Sequence, residues 1–508
     1  MYNKELGILC HISSLYSEYG VGTLGKPAKD FVDFLAKDGY TQWEVLPLNK
    51  IDGMNCPYAS TATMAQEELY IDLEKFVEQG VLSREEVDTL KTTSVPDHVD
   101  YEKVKAIKYD LLNKAYYRQG ESSQNEGLKY MQENPYIKDY ALYRVLSEKF
   151  GTNDWATWPK EYRFRDANAI DKFVQENSKE MAKHAYLQKT FEEQFKEVQD
   201  YAHSKNIKIV GDCAIYADSK SVDVWANQDI FKLDENSRPY VNGGTPGQNW
   251  GTCMYRWDDR KDQVYNWWFN RIKHDMNMYD ILRLDHYTGF CWHYEIPSKN
   301  NANDGYWAPA GGFDFFNKLF NQVDKNRIII EDIGTVSQEA YDVRNTYGIK
   351  GMGVAQWAFD GNPNNGFLPH NIPKNTVYYI GTHDNTTLRG FLNWADDRTI
   401  QNIHNYFWLD HRVSKDELAM RMLKSMFHSN ADTVMLQLQD VLLQDENYMM
   451  NHAGVAAGQW AYMAPKDYAT KAVHPADLQH MFYKKLNKNI KKVDDKTQEK
   501  EDENAMIM

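Results

Sequence analysis

Apolar residues in this 508-residue chain collect in short runs, and most of those runs end on polar or charged side chains. GILCHIS (7–13), TQWEVLPL (41–48), IKIVGDCAIY (207–216), DILRLDHY (280–287), RIIIEDIG (327–334), GMGVAQWAF (351–359), TVYYIGTHD (376–384) and DTVMLQLQDVL (432–442) share this form. Each has the length and the β-branched or aromatic bias of a buried strand. Between most of them the apolar positions recur with a helical period, as in AKDFVDFLAKDG and QVYNWWFNRIKHDMNMY. Eight buried strands separated by helices predict an α/β chain closed into a (β/α)8 TIM barrel. A doubly wound open sheet competes, but no G-x-G-x-x-G follows the first strand.

The rhythm breaks once. Residues 49–206 separate the second and third strands, far more chain than a βα unit needs. The stretch 80–200 inside that gap is charged, tyrosine-rich and helical in period, which predicts a helical subdomain inserted between the second and third strands. The expected organisation is a catalytic barrel over 1–482 interrupted by this insertion, then a charged C-terminal tail over 483–508.

Barrels of this kind carry their chemistry at the C-terminal ends of the strands. The third strand holds Asp212, the fourth Arg283 and Asp285, the fifth Glu331 and Asp332, the seventh His383 and Asp384, the eighth Gln439 and Asp440. A lone acid at such a place is usually a helix cap. Acids within the last residues of five strands point to chemistry instead. In ILRLDHYTGF, Arg283 and Asp285 share one strand face, where a charge pair costs desolvation unless both partners are held. A structural ion pair and an active-site carboxylate kept ionised by its neighbour both fit.

Composition then removes function classes. The formal charge is −15 and no basic run lies beside aromatics, which argues against a nucleic-acid partner. No eighteen apolar residues run together, so no membrane span is expected. The N-terminal MYNKELGILCHISS is a poor signal peptide, and Cys10, Cys56, Cys213, Cys253 and Cys291 are scattered without CxxC spacing. They read as reduced thiols of a cytoplasmic protein. No HxH or HExxH supplies metal nitrogens, and no G-x-S-x-G supplies a serine nucleophile. Cys10 and His11 are sequence neighbours that would face opposite ways on a strand. A magnesium site of carboxylates alone is the remaining metal alternative. Glycosyl transfer fits best, with one carboxylate as nucleophile or base and a second as proton donor.

The segments also carry a family likeness. GILCHISSLYSEYGVGTLG, CPYASTATMAQEELYIDL, GDCAIYADSKSVDVWAN, ILRLDHYTGF, IIIEDIG, AFDGNPNNGFLPHN and YYIGTHDNTT resemble, in order, the amylomaltases. These are the bacterial 4-α-glucanotransferases (disproportionating enzymes) of the α-amylase clan, and the likeness runs from about residue 6 to about 465. The resemblance implies transfer of α-1,4-glucan segments between maltodextrins, with a malto-oligosaccharide or α-glucan as donor and as acceptor, and no cofactor or metal. It implies Asp285 as nucleophile, Glu331 as general acid and then base, and Asp384 as the brace on the donor sugar's hydroxyls. Arg283 would keep Asp285 ionised, His383 would bond the same sugar, Tyr58 would stack near it, and Asp212 would support the ring of charges. Trp250 is the tryptophan expected to stack on sugar, whereas Trp225, Trp257 and Trp292 read as core, and Trp267, Trp268 and Phe269 as a buried helix face. His11 and His286 fit a ligand role and a structural role equally.

A retaining double displacement needs the Asp285 and Glu331 carboxyls about 5–5.5 Å apart, and a proton on Glu331 raised there by burial and by negative neighbours. The chain departs from the family pattern at Thr288, where an arginine is usual, and at Lys220, Met449 and His452. NGGTPGQNWG (242–251) is shorter than the family's loop and keeps only Gln248, Trp250 and Gly251 of it. These departures describe a divergent member and keep two alternatives in view: an α-glucan hydrolase of the same clan and a non-catalytic carbohydrate-binding protein.

Overall fold

One strand comes from each of the eight apolar runs. They are β1 (Glu5–Leu9), β2 (Gln42–Glu44), β3 (Lys208–Cys213), β4 (Ile281–Leu284), β5 (Ile328–Ile330), β6 (Gly351–Val354), β7 (Thr376–Tyr379) and β8 (Thr433–Gln437) in the computed structural model. The structure describes residues 4–478, apart from 52, 453–454, 456–457 and 477, so the tail expected over 483–508 lies outside the described residues. Around the sheet the order is β5-β4-β3-β2-β1-β8-β7-β6, with every neighbouring pair parallel. The two ends of that order meet. The Ile330 N–H donates to the carbonyl of Lys350 beside β6 at 3.0 Å, and Ile329 bridges Lys350 in parallel. The sheet therefore closes into the expected TIM barrel.

Parallel strands need helices to bring the chain back. The first return is Lys26–Asp38, with Pro27 in its first turn and Gly39 ending it at φ 80°, a left-handed angle that glycine adopts freely. Phe31, Val32 and Leu35 are buried along one stripe, and Phe31 packs on Trp43 of β2 with ring centroids 5.0 Å apart. Inside the barrel, Gly7 of β1 makes room for Met435 of β8, since a Cβ there would lie 2.5 Å from its terminal methyl. Trp267, Trp268 and Phe269 are buried in helix Lys261–Met278, as their spacing predicts.

Between β2 and β3 a short hairpin (Asn49–Lys50 with Ala62–Gln66) carries the loop that holds Tyr58. Helices Tyr101–Gln119, Glu121–Glu133, Pro135–Phe150 and Ala167–Ser204 follow, the last running directly up to β3. Their apolar faces join the barrel in one contiguous core.

A second sheet stands outside the barrel and is absent from the sequence reading. It is antiparallel and orders Tyr306–Pro309, Trp292–Pro297, Val241–Thr245, Gln248–Cys253 and Ala217–Asp218. The 242–251 stretch, read as a loop, is its central hairpin. Its turn is Pro246-Gly247, with Gly247 at φ 87°. Four glycines and a proline concealed the strand alternation.

Candidate active site

Arg283 is the hub. It lies inside β4, only 2% exposed, and one of its terminal nitrogens donates to Asp212 Oδ2 at 2.6 Å and to Asp285 Oδ1 at 3.1 Å. The other reaches Glu331 Oε2 at 3.0 Å. Parallel registry explains the convergence. Arg283 pairs with Asp212 of β3 on one side and with Ile329 of β5 on the other, so residues just past each strand end meet at the same height.

Glu331 receives a second bond. His286 adopts the left-handed conformation (φ 43°, ψ 49°), uncommon for a residue with a side chain, and this turns its N–H onto Glu331 Oε2 at 2.7 Å. His286 is thus tied to the acid cluster through its backbone. His11 is not: it is buried, hydrogen-bonded to Tyr70 at 2.9 Å, and burial pushes its pKa down to about 3.

The seventh strand supplies the far side. Asp384 accepts from Asn451 Nδ2 at 2.7 Å and faces His383 Nε2 at 3.3 Å, and its side chain is 54% exposed in the open mouth. Burial acts upward on Asp384, but the His383 charge and the bonds from His383 and Asn451 outweigh it and hold the acid well below the usual range. His383 is raised on balance: burial lowers it and the Asp384 charge more than restores it. Tyr58 stacks on His383 with centroids 4.8 Å apart and planes 13° from parallel, and its hydroxyl donates to Asp212 Oδ2 at 2.5 Å. Trp460, which sequence reasoning passed over, packs against both rings.

Trp250 sits on the hairpin of the second sheet, 38% exposed and edge-on to the His286 ring at 4.9 Å. All eight residues expected at the site therefore surround one mouth. Asp332 and Asp440 do not. Asp332 is engaged by Arg344 and by the Met352 N–H at 2.8 Å, and Asp440 caps helix Leu388–Trp394 through the Leu388 N–H at 2.7 Å. Trp225 and Trp257 are core, as expected, while Trp292 is 37% exposed and donates to Glu339 at 3.0 Å. Thr288 is buried and accepts from the Ser337 N–H at 3.2 Å.

Protonation differs from expectation. Burial, then the charge of Glu331, push Asp285 well above the carboxylate range against the pull of Arg283, and the two acids hydrogen-bond each other. Burial also acts upward on Glu331, but Arg283 and the His286 N–H outweigh it and leave that carboxyl lowered. Within this pair Asp285 is thus pushed up while Glu331 is held down. The cause is the surroundings: Glu331 has both the Arg283 ion pair and the His286 N–H, whereas Asp285 has the guanidinium alone.

A closed (β/α)8 barrel with paired acids at the C-terminal ends of its strands belongs to the class of enzymes that break and remake glycosidic bonds. The chain belongs to the 4-α-glucanotransferase family (glycoside hydrolase family 77), whose model matches residues 10–467. It is 32% identical over 478 residues to the 4-α-glucanotransferase of Aquifex aeolicus, covering 92% of this chain and 96% of that one. Against the 4-α-glucanotransferase of Streptococcus pneumoniae it is 32% identical over 505 residues, covering 96% and 99%. The amylomaltase of Streptococcus agalactiae, solved in complex with acarbose, superposes with a TM-score of 0.87 at 29% identity, covering 92% and 96% of the two chains.

Proposed function

We propose that this 4-α-glucanotransferase works by a retaining double displacement in which Asp285 is the nucleophile and Glu331 the acid and base. The observation that carries the reading is a single guanidinium, Arg283, hydrogen-bonded to Asp285 at 3.1 Å and ion-paired with Glu331 at 3.0 Å. In the first step the Asp285 carboxylate bonds to C1 of the donor sugar as the C1–O4 bond breaks, and Glu331 gives its proton to the departing oxygen. In the second, a hydroxyl of the acceptor glucan attacks C1, Glu331 takes its proton, and Asp285 is released as carboxylate.

The first step needs the proton on Glu331, whereas the opposite shifts of the two acids favour it on Asp285. The hydrogen bond between the two acids provides the route. Positive charge developing at C1 favours an anionic Asp285 and pulls the proton across without moving heavy atoms. Asp384, ionised and half open to the mouth, braces the donor's hydroxyls, while His383 and Tyr58 form one wall of the same subsite. Trp250 offers the acceptor a platform from the opposite side.

Transfer exceeds hydrolysis when an acceptor occupies the mouth before water does. The short 242–251 hairpin is the one feature that favours the hydrolase alternative, because it leaves Trp250 partly open. The cytoplasmic setting belongs to this proposal and is supported by five cysteines that are all reduced thiols. Among the described residues no helix is long and apolar enough to cross a membrane.

Product analysis from maltotriose tests the reading. Transfer yields glucose plus oligomers longer than the substrate, and hydrolysis yields only shorter sugars. Asp285→Asn loses at least ~10³ in rate, since covalent catalysis is removed. Near-normal turnover in that variant overturns the assignment.

A further inference from the structure

Beneath the mouth, the barrel interior holds a carboxyl that the double displacement leaves unused. Glu44 is the last residue of β2 and is 1% exposed. Its neighbour Trp43 turns outward onto Phe31, so strand alternation turns Glu44 inward. There one carboxyl oxygen accepts the Tyr379 hydroxyl at 2.8 Å. Tyr379 ends β7, and β2 and β7 are not neighbours, so this bond crosses the barrel.

Among the described residues no cation forms an ion pair with Glu44. Arg283, the cation of this layer, is committed to Asp212, Asp285 and Glu331. Glu44 pairs with Val210 of β3, two residues before Asp212, so it shares the inward face of Asp212 and of its partner Arg283, and the charges that act on it are those of Arg283, Asp212 and His383, beside the Tyr379 bond. Burial, the largest influence, pushes the Glu44 carboxyl up to about 7, so it changes charge near neutral pH.

We propose that Glu44 is a positioning residue for the Asp285–Glu331 pair and acts through Arg283, as a fourth carboxylate that draws on the same guanidinium once it ionises. The inference rests on the assignment of Asp285 and Glu331 as the reacting pair. An anionic Glu44 weakens the hold of Arg283 on that pair, so the pair keeps its shared proton to higher pH. Glu331 can then act as an acid on the alkaline side of neutrality, where it would otherwise be spent.

The pH dependence of kcat/KM on maltotriose is the test. Glu44→Gln keeps an oxygen for the Tyr379 hydroxyl and removes the charge, so the alkaline limb moves to lower pH by about half a unit or more. Tyr379→Phe removes a bond that favours the charged form of Glu44, keeps it neutral to higher pH, and moves the limb the same way by less. Difference infrared spectroscopy reads Glu44 without catalysis: the wild type loses near pH 7 one protonated-carboxyl band that Glu44→Gln lacks, while the bands of the other buried acids are common to both. An alkaline limb that stays in place in both variants, or carboxyl bands that are identical in the wild type and Glu44→Gln, overturns the proposal. Turnover surviving in Asp285→Asn, by contrast, overturns the underlying pair assignment and leaves the infrared result standing.

Discussion

Two clusters in this molecule set several acids around one buried cation, and they differ in how completely the acids are satisfied. Around Lys50 every carboxylate oxygen has a donor. Glu67 Oε1 accepts from Lys50, Tyr109 and the Leu69 N–H, and Glu67 Oε2 from the Ile51 N–H. Glu68 Oε2 accepts from Lys50, and Glu68 Oε1 from Tyr140 and Gln188. Burial acts upward on Glu68, yet the charges of Lys50 and Arg144 prevail and hold it far below the usual range. Around Arg283 the acids are left short. Asp212 Oδ1 is buried without a partner, Asp285 takes a single bond from the guanidinium, and its carboxyl is pushed up, not down.

The difference teaches what distinguishes a structural charge cluster from a reactive one. Burial and ion pairing are common to both, so neither is diagnostic. A reactive cluster keeps more acids than its cation can satisfy and exposes them to one side. Glu67 and Glu68 are sealed, at 0% and 3% side-chain exposure, whereas Asp285 and Glu331 are each 20% exposed toward the mouth.

The largest expected effect comes from removing the reactive hub. Arg283→Met leaves Asp212, Asp285 and Glu331 without their cation, costing about 3–5 kcal/mol of stability and at least ~10³ in turnover. Chemical denaturation and maltotriose kinetics measure the two losses. A variant that keeps both would erase the distinction between the clusters.

Stability against pH sharpens the contrast. Glu68 has a depressed folded pKa, so its contribution is present above about 4.5 and is lost as pH falls toward the folded value. Glu68→Gln therefore costs about 3 kcal/mol at pH 7, and the cost narrows in acid, while turnover per folded molecule stays within about twofold. Asp285 has a raised folded pKa, so its contribution is present below about 3.8 and is lost as pH rises through the folded value. Asp285→Asn consequently folds at least as stably as the wild type at pH 7. Denaturant midpoints at pH 5 and pH 7 decide both signs.

The smallest effect concerns the platform across the mouth. Trp250→Ala removes a stacking face and shifts the ratio of transfer to hydrolysis toward water by about fivefold, with less change in donor cleavage. Chain-length analysis against released reducing ends reads it.

The barrel was legible because buried parallel strands leave short continuous apolar runs, and each of the eight windows overlaps one strand, with β1 starting two residues ahead of its window. Arg283 and Asp285 were legible through alternation, which fixes two residues two apart on one face. What lay hidden depended on contacts between distant segments. Glu44 in TQWEVLPL looks like any polar residue at the end of a run, and only closure of β2 beside β3 brings it near Asp212 and Arg283. Asp332 and Asp440 look the same in sequence as Glu331 and Asp384, but Asp332, two residues past β5, turns to Arg344, and Asp440, three past β8, turns to a helix cap. The direction of the Glu331 shift was hidden for a similar reason. It depends on the His286 N–H, which reaches Glu331 only through a left-handed backbone that no residue type announces.

The central claim is that Asp285 forms the bond to the sugar. Glu331→Gln incubated with an α-maltosyl fluoride tests it directly, because fluoride leaves without an acid and the second step is slowed. Digestion and mass spectrometry should find the glycosyl group on the peptide that carries Asp285. The same group on Asp212 or Asp384, or fluoride released with no carboxylate labelled, would contradict the account.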